Sequence, residues 1–273
     1  MPIHSLSLTV PTIIVVALLL AYHALPALGL YWTYRIPEDI CVAPFQPGAT
    51  SFPPHVARYF GKVDESLIRL GFRPLGGIAL TDPMPRVKAI TVLYVHPTHD
   101  DSALVSVIYG ILDENEQANS GAHEPLQMRY VEFFSRFDDE TVRQILTNNS
   151  DNAGSFPPRP SDLTFRFPHV SDIEHLYHLH ERLVERHSPS SRKIVRALKE
   201  FHGDLAKYLH SVLVETYRTQ EQTGYLIYDA ANRRWRPTFR GAGLMMWREL
   251  PPWKQLRALR VQKLGLHLER ELG

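Results

Sequence analysis

A single cysteine, Cys41, in 273 residues excludes an intramolecular disulfide framework and most cysteine-based metal sites. The local patterns of several common chemistries are missing too. There is no GxSxG turn for a nucleophilic serine, no HExxH for zinc and no glycine-rich loop followed by a P-loop lysine. No internal repeat or low-complexity tract occurs, so the chain reads as one or two ordinary globular domains. Charge is lacking altogether from Leu6 to Leu30, 25 residues without Lys, Arg, Asp or Glu. A membrane-spanning helix needs about 20 such residues. Tyr31, Trp32, Tyr34 and Arg35 follow at once, side chains suited to a headgroup layer. Residues 6–34 are therefore expected to be a single-pass anchor in the lipid bilayer. A cleaved secretory signal fits less well, because no Lys or Arg precedes the apolar core. Arg35 on the far side places the bulk of the chain in the cytoplasm.

What is present begins with β-strands. Val87 to Val95 is apolar on both faces, and Ala103 to Ile111, Met128 to Phe137 and Thr141 to Thr147 continue the pattern. Enrichment in Val, Ile, Tyr, Phe and Thr between polar breaks predicts four antiparallel strands. Helical spacing covers Val56 to Leu70, with Gly71 placed to end the helix. Ser171-Asp172-Ile173-Glu174 has the form of a capping box opening a helix to about His187. Ile194 to Thr216 carries the cleanest amphipathic stripe and reads as one long helix in spite of Gly203. Gly224 to Thr238 reads as a β-hairpin, followed by a helix to Leu250 and a basic helix from Trp253 to Leu272. Proline and glycine between Phe72 and Pro85 mark a loop, and five prolines between Ile36 and Pro54 mark an extended linker.

The expected class is α+β, with an N-terminal transmembrane helix, an antiparallel four-stranded sheet covered by helices, and a helical C-terminal subdomain with a β-hairpin. The expected domains are an anchor over 1–35, a Pro-rich linker over 36–54, the sheet domain over 55–187 and the helical subdomain over 188–273.

Candidate chemistry is thin. His175, His178, His180 and His187 crowd one helix, but His175 and His178 lie three apart and His180 and His187 lie seven apart on another side. Zinc ligation wants one face, so partly exposed helical histidines are the simpler reading. Asp138, Asp139 and Glu140 read as a solvated turn rather than an acid–base pair. No catalytic residue, cofactor site or metal site is assigned.

Charge is distributed unevenly, and this is the informative feature of the composition. From Thr98 to Glu140 ten acidic residues face two arginines, a balance of 2 − 10 = −8. From Arg233 to Lys263 nine basic residues face Glu249 alone, 9 − 1 = +8. Arg233, Arg234, Arg236, Arg240, Lys254, Arg257, Arg260 and Lys263 are interleaved with Trp235, Trp247 and Trp253. These eleven residues are the expected contact surface, for an anionic membrane face or a protein partner. The hairpin ending Thr238-Phe239-Arg240-Gly241 resembles the wing of winged-helix proteins. That resemblance implies nucleic-acid binding, but it covers under twenty residues and no recognition helix accompanies it. Nucleic acid is not the expected partner. The function read from the sequence is a membrane-anchored, non-enzymatic interaction or scaffold protein. An enzyme acting on a membrane-proximal substrate without a recognisable motif is the alternative.

Overall fold

The computed structural model describes residues 6–39, 42–45, 52–84, 87–110, 126–139, 141–152, 154, 156–188 and 192–273. Two compact units are formed. The smaller takes Met1–Asp39, Gly154–Pro157 and Val214–Arg257, and the larger takes Ile40–Ala153, Pro158–Leu213 and Ala258–Gly273.

The larger unit is built on a seven-stranded mixed sheet. Its strands are β2 (Val42–Phe45), β3 (Arg73–Met84), β4 (Val87–Val95), β5 (Ser102–Gly110), β6 (Leu126–Arg136), β7 (Gln144–Asn148) and β8 (Asp162–Arg166), in that spatial order. Every pairing is antiparallel except the last, where β8 runs parallel to β7. Both faces are covered, which explains why β4 is apolar on both sides. On one face, Val92, Tyr94, Val105, Phe133 and Ile145 pack under helices α2 (Pro54–Arg69) and α3 (Ile173–His187), which contribute Val63, Leu67, Leu176 and Leu183. On the other, Ile78, Leu93 and Phe134 meet Leu205 and Tyr208 of α5 (Leu205–Gln222). Between α3 and α5 lies one short helix, α4 (Arg196–Lys199).

The smaller unit contains helix α1 (Leu6–Thr33) and a three-stranded antiparallel sheet. That sheet joins β1 (Ile36–Pro37) to the hairpin of β9 (Leu226–Asp229) and β10 (Arg234–Pro237), in the order β1-β10-β9. Helix α6 (Phe239–Glu249) packs on α1, and the last helix, α7 (Trp253–Leu272), begins in this unit. Trp235 is 1% exposed at its centre, against Ile36, Leu226, Tyr217 and Tyr228.

Several expectations need correction. A helix does form at Leu6–Thr33, but among the described residues no helix is long and apolar enough to cross a membrane. The transmembrane anchor and the single-pass localisation are therefore overturned. The end of α1 is instead packed against protein. Ala27 is buried, and the Tyr31 ring sits edge-on to Phe239 with Arg236 over it. An apolar run in a sequence does not say whether lipid or protein covers it. The four-stranded antiparallel sheet is also corrected, to seven mixed strands. β3 lies in the stretch read as a loop, because Pro74, Gly76 and Gly77 serve a strand there. The register shifts between Pro74 and Gly76, and a Cβ at Gly76 would sit 2.8 Å from Leu205. Glycine in a strand marks such a bulge and close approach. Among the described residues β2 reaches only Gly77 on its neighbour, so Pro74 interrupts no described ladder on that side.

The stripe from Ile194 to Thr216 is not one helix. His202 and Gly203 both adopt positive φ, at 51° and 82°, and end the first segment before α5 starts. The cap of α3 is Asp172 rather than Ser171: its carboxylate accepts from the amides of Glu174 and His175. Part of the stretch read as a linker is β1 and β2; Cys41 and the acidic stretch 113–125 lie outside the described residues.

Leu205 is 7% exposed while Leu209 is only partly buried. Leu205→Ala should cost about 2–4 kcal/mol and Leu209→Ala clearly less. Equal denaturant midpoints for the two variants would show that α5 does not pack on the sheet as described.

Candidate functional site

The expected basic surface is dispersed among different partners. Arg233 pairs with Glu38 at 3.0 Å and with Asp39 at 3.2 Å. Arg234 pairs with Asp229, and Lys254 with Glu249 at 3.0 Å. Trp235 is core rather than surface. Trp247 and Trp253 stack with centroids 4.0 Å apart, and Arg257 donates to the Arg248 carbonyl. Arg260 and Lys263 are exposed on the part of α7 that belongs to the larger unit. Arg236 and Arg240 differ from the paired cations: they lie over the rings of Tyr31 and Tyr225, at 6.0 and 4.6 Å from the centroids.

The Thr-x-x-Gly ending of the hairpin has a local cause. The Thr238 hydroxyl accepts from the Gly241 amide and donates to the Gly224 carbonyl, capping α6. A Cβ at Gly241 would lie 1.9 Å from the Tyr225 carbonyl oxygen, so only glycine fits.

The larger unit holds a polar cluster that the sequence reading missed. Asp101, just before β5, is 1% exposed and accepts three side-chain hydrogen bonds. Lys193 Nζ and Ser135 Oγ donate to Oδ1, the lysine at 2.7 Å, and the Tyr177 hydroxyl donates to Oδ2 at 3.0 Å. Because Ser135 spends its hydrogen on Asp101, it accepts from His180 Nε2–H at 2.9 Å; Thr147 Oγ1 then donates to His180 Nδ1 at 3.0 Å. By the same reasoning Tyr177 accepts from His99 Nδ1–H at 3.1 Å. Lys193 is brought in by residues 192–194, which cross the end of β6 through backbone bonds to Arg136 and Asp138.

The ionisation states follow from burial and charge. Burial pushes the His180 imidazole down to about 4, so it is neutral at pH 7. Burial alone would raise the Asp101 carboxyl. That is outweighed by positive charge on His180, when protonated, and on Lys193, and by the lysine and serine hydrogen bonds, which together hold it below its ordinary value. Tyr177 is raised by burial and by the Asp101 charge, so it stays a donor.

Serine, histidine and aspartate within hydrogen-bond reach invite comparison with a nucleophile and its base. Two observations argue otherwise. Ser135 and His180 are both 0% exposed, so no acyl carbon reaches the serine. The carboxylate contacts the serine instead of the imidazole Nδ1, which Thr147 holds. The arrangement suits a sealed structural hub. No protein-family model matches this chain, and neither a curated protein nor a solved structure shows significant similarity to it. Geometry is the whole of the functional argument.

The remaining histidines are also engaged. Glu269, near the end of α7, is held between His169 at 2.6 Å and His175 at 2.7 Å, and His178 meets Glu181 at 3.0 Å. His175, His178, Glu181 and Glu269 line a groove of about 730 Å³, where these imidazoles and carboxylates largely satisfy one another. Among the described residues no group of three or more His, Cys, Asp or Glu is arranged to hold a metal ion. Asp139 caps its own turn by accepting from the Thr141 amide, while Glu140 lies outside the described residues.

Asp101→Asn should leave the Lys193 ammonium without its counter-ion and cost about 3 kcal/mol. Adding Lys193→Met should recover part of that loss in denaturant midpoints. An unchanged midpoint for the single variant would remove Asp101 as the hub.

The pH dependence has a definite sign. Between about 6.5 and about 4 the unfolded chain protonates His180 while the folded chain does not. Stability should therefore fall as pH drops through that window, by up to roughly 3 kcal/mol from this residue. His96 and His187, both depressed by burial, add in the same direction. Thermal unfolding at pH 7 and pH 5 should show the loss, and His180→Gln should flatten it while lowering stability at both.

Proposed function

We propose that this is a non-catalytic binding protein whose smaller unit carries the binding face. One observation carries the reading: large aromatic side chains are left in solvent beside unneutralised arginines. Trp32 is 65% exposed and Phe239 64%, on either side of Tyr31, whose ring bears the Arg236 guanidinium. Arg236 and Arg240 have no carboxylate partner among the described residues, unlike Arg233, Arg234 and Lys254. Binding faces are enriched in aromatic residues and arginine, and a contiguous exposed apolar patch marks such a face. The cluster that most resembles chemistry is sealed, which supports binding over catalysis.

The smaller unit is also the more basic. It holds nine Lys and Arg against six Asp and Glu, 9 − 6 = +3, so the expected ligand is anionic. Trp32→Ala and Phe239→Ala should change stability by less than about 0.5 kcal/mol, as exposed truncations do. The full chain should bind phosphocellulose at low salt, and Arg236→Gln with Arg240→Gln should release it earlier in a salt gradient. Unchanged elution of that double variant would overturn the face. Covalent labelling of Ser135 in the folded protein by a fluorophosphonate would overturn the non-catalytic reading.

A further inference from the structure

We propose that the aromatic–basic face of the smaller unit rests on an anionic lipid headgroup layer, contacting it from one side without crossing it. This rests on the binding-face reading above and names its occupant. Tyr22, Leu25 and Trp32 fall on one side of α1, at helical spacings of three and seven, and are 46%, 65% and 65% exposed. Phe239, at the start of α6, is linked to Trp32 through Tyr31, whose ring contacts both. Trp32 and Phe239 thus stand in solvent beside Tyr31 and its Arg236, and Leu25 is exposed two turns further along α1.

The composition of the face selects the occupant. A headgroup layer supplies phosphate for guanidinium groups and, a few ångströms deeper, an apolar boundary for Trp, Tyr, Phe and Leu. A dissolved polyanion supplies only the first and would leave Leu25 and Phe239 in water. Single-stranded nucleic acid would need free aromatic faces for its bases. Trp32 and Phe239 offer such faces, but Tyr31 and Tyr225 already carry arginines, and stacked bases would leave Leu25 in water. The contact is lateral, since no described helix is long and apolar enough to span.

The test is sedimentation of the full chain with vesicles of phosphatidylglycerol and phosphatidylcholine, against phosphatidylcholine alone. Binding is expected to the anionic vesicles and to weaken with added salt. Each arginine near an anionic surface is worth a factor of about five, so Arg236→Gln with Arg240→Gln should lower partitioning about twenty-five-fold. Trp32→Phe should reduce any blue shift in tryptophan emission on vesicle addition, because Trp32 is 65% exposed on this face while Trp235 is already buried. Failure to bind vesicles while phosphocellulose retention persists would overturn the lipid assignment and leave the binding face standing. Equal binding to neutral and anionic vesicles, or tighter binding to a single-stranded oligonucleotide, would also overturn it. Failure on both vesicles and phosphocellulose would remove the face itself.

Discussion

The Asp101 carboxylate is the constraint on which the larger unit depends. A charge sealed among apolar side chains is tolerated only when both its oxygens accept hydrogen bonds and a counter-ion is at hand. Lys193, Ser135 and Tyr177 meet that condition, and each comes from a different part of the chain. Ser135 belongs to β6, Tyr177 to α3 and Lys193 to the segment that follows α3. Their convergence fixes the position of α3 over the sheet and ties residues 192–194 across the end of β6. A packed apolar layer alone would tolerate a helix rotated or slid by a fraction of a turn. Directed hydrogen bonds to one buried anion do not.

The signal for this hub was in the sequence. In α3, His180 falls in step with Ile173, Leu176, Tyr177, Leu183 and Val184, a helical stripe that is otherwise apolar and buried. In β6, Ser135 takes the place of an apolar residue in the alternation Val131, Phe133, Ser135, Phe137. A polar residue in a core register predicts a buried partner, and two such residues predict each other. Grouping His180 with the other helical histidines by residue type hid this, since His175 and His178 are on the exposed side. Asp101 gave no such signal, because in the sequence it is one of ten acidic residues between Thr98 and Glu140 and no local pattern sets it apart. Long-range pairing of one carboxylate with Lys193, 92 residues away, is not written in any local pattern.

The central strands were legible because Val, Ile and Tyr repeat at strand spacing over β4 to β7. β3 was not, because the residues that make it possible are those that usually end strands. Gly76 permits the bulge and the approach of Leu205, and both are tertiary facts. The same limit applies at α1. Its apolar composition was plain, but composition does not state what covers a helix. Ala27 and Tyr31 are answered by α6 and β10, elements more than two hundred residues later.

Sequence position also misled about the basic C-terminal region, where charge counting treats all arginines alike. In the fold they separate by what neutralises them. Arg233 and Arg234 close the small sheet against Glu38, Asp39 and Asp229, and their charge is spent locally. Arg236 and Arg240 rest on aromatic rings, which hold a guanidinium in place while leaving its net charge available. An arginine held rigid over a ring loses less freedom on meeting an anion than a free one. The nine cations of that stretch therefore contribute unequally. Arg236 and Arg240, held on rings rather than by carboxylates, stand in the same unit as the exposed aromatics, and that coincidence, rather than total charge, gives the smaller unit its direction.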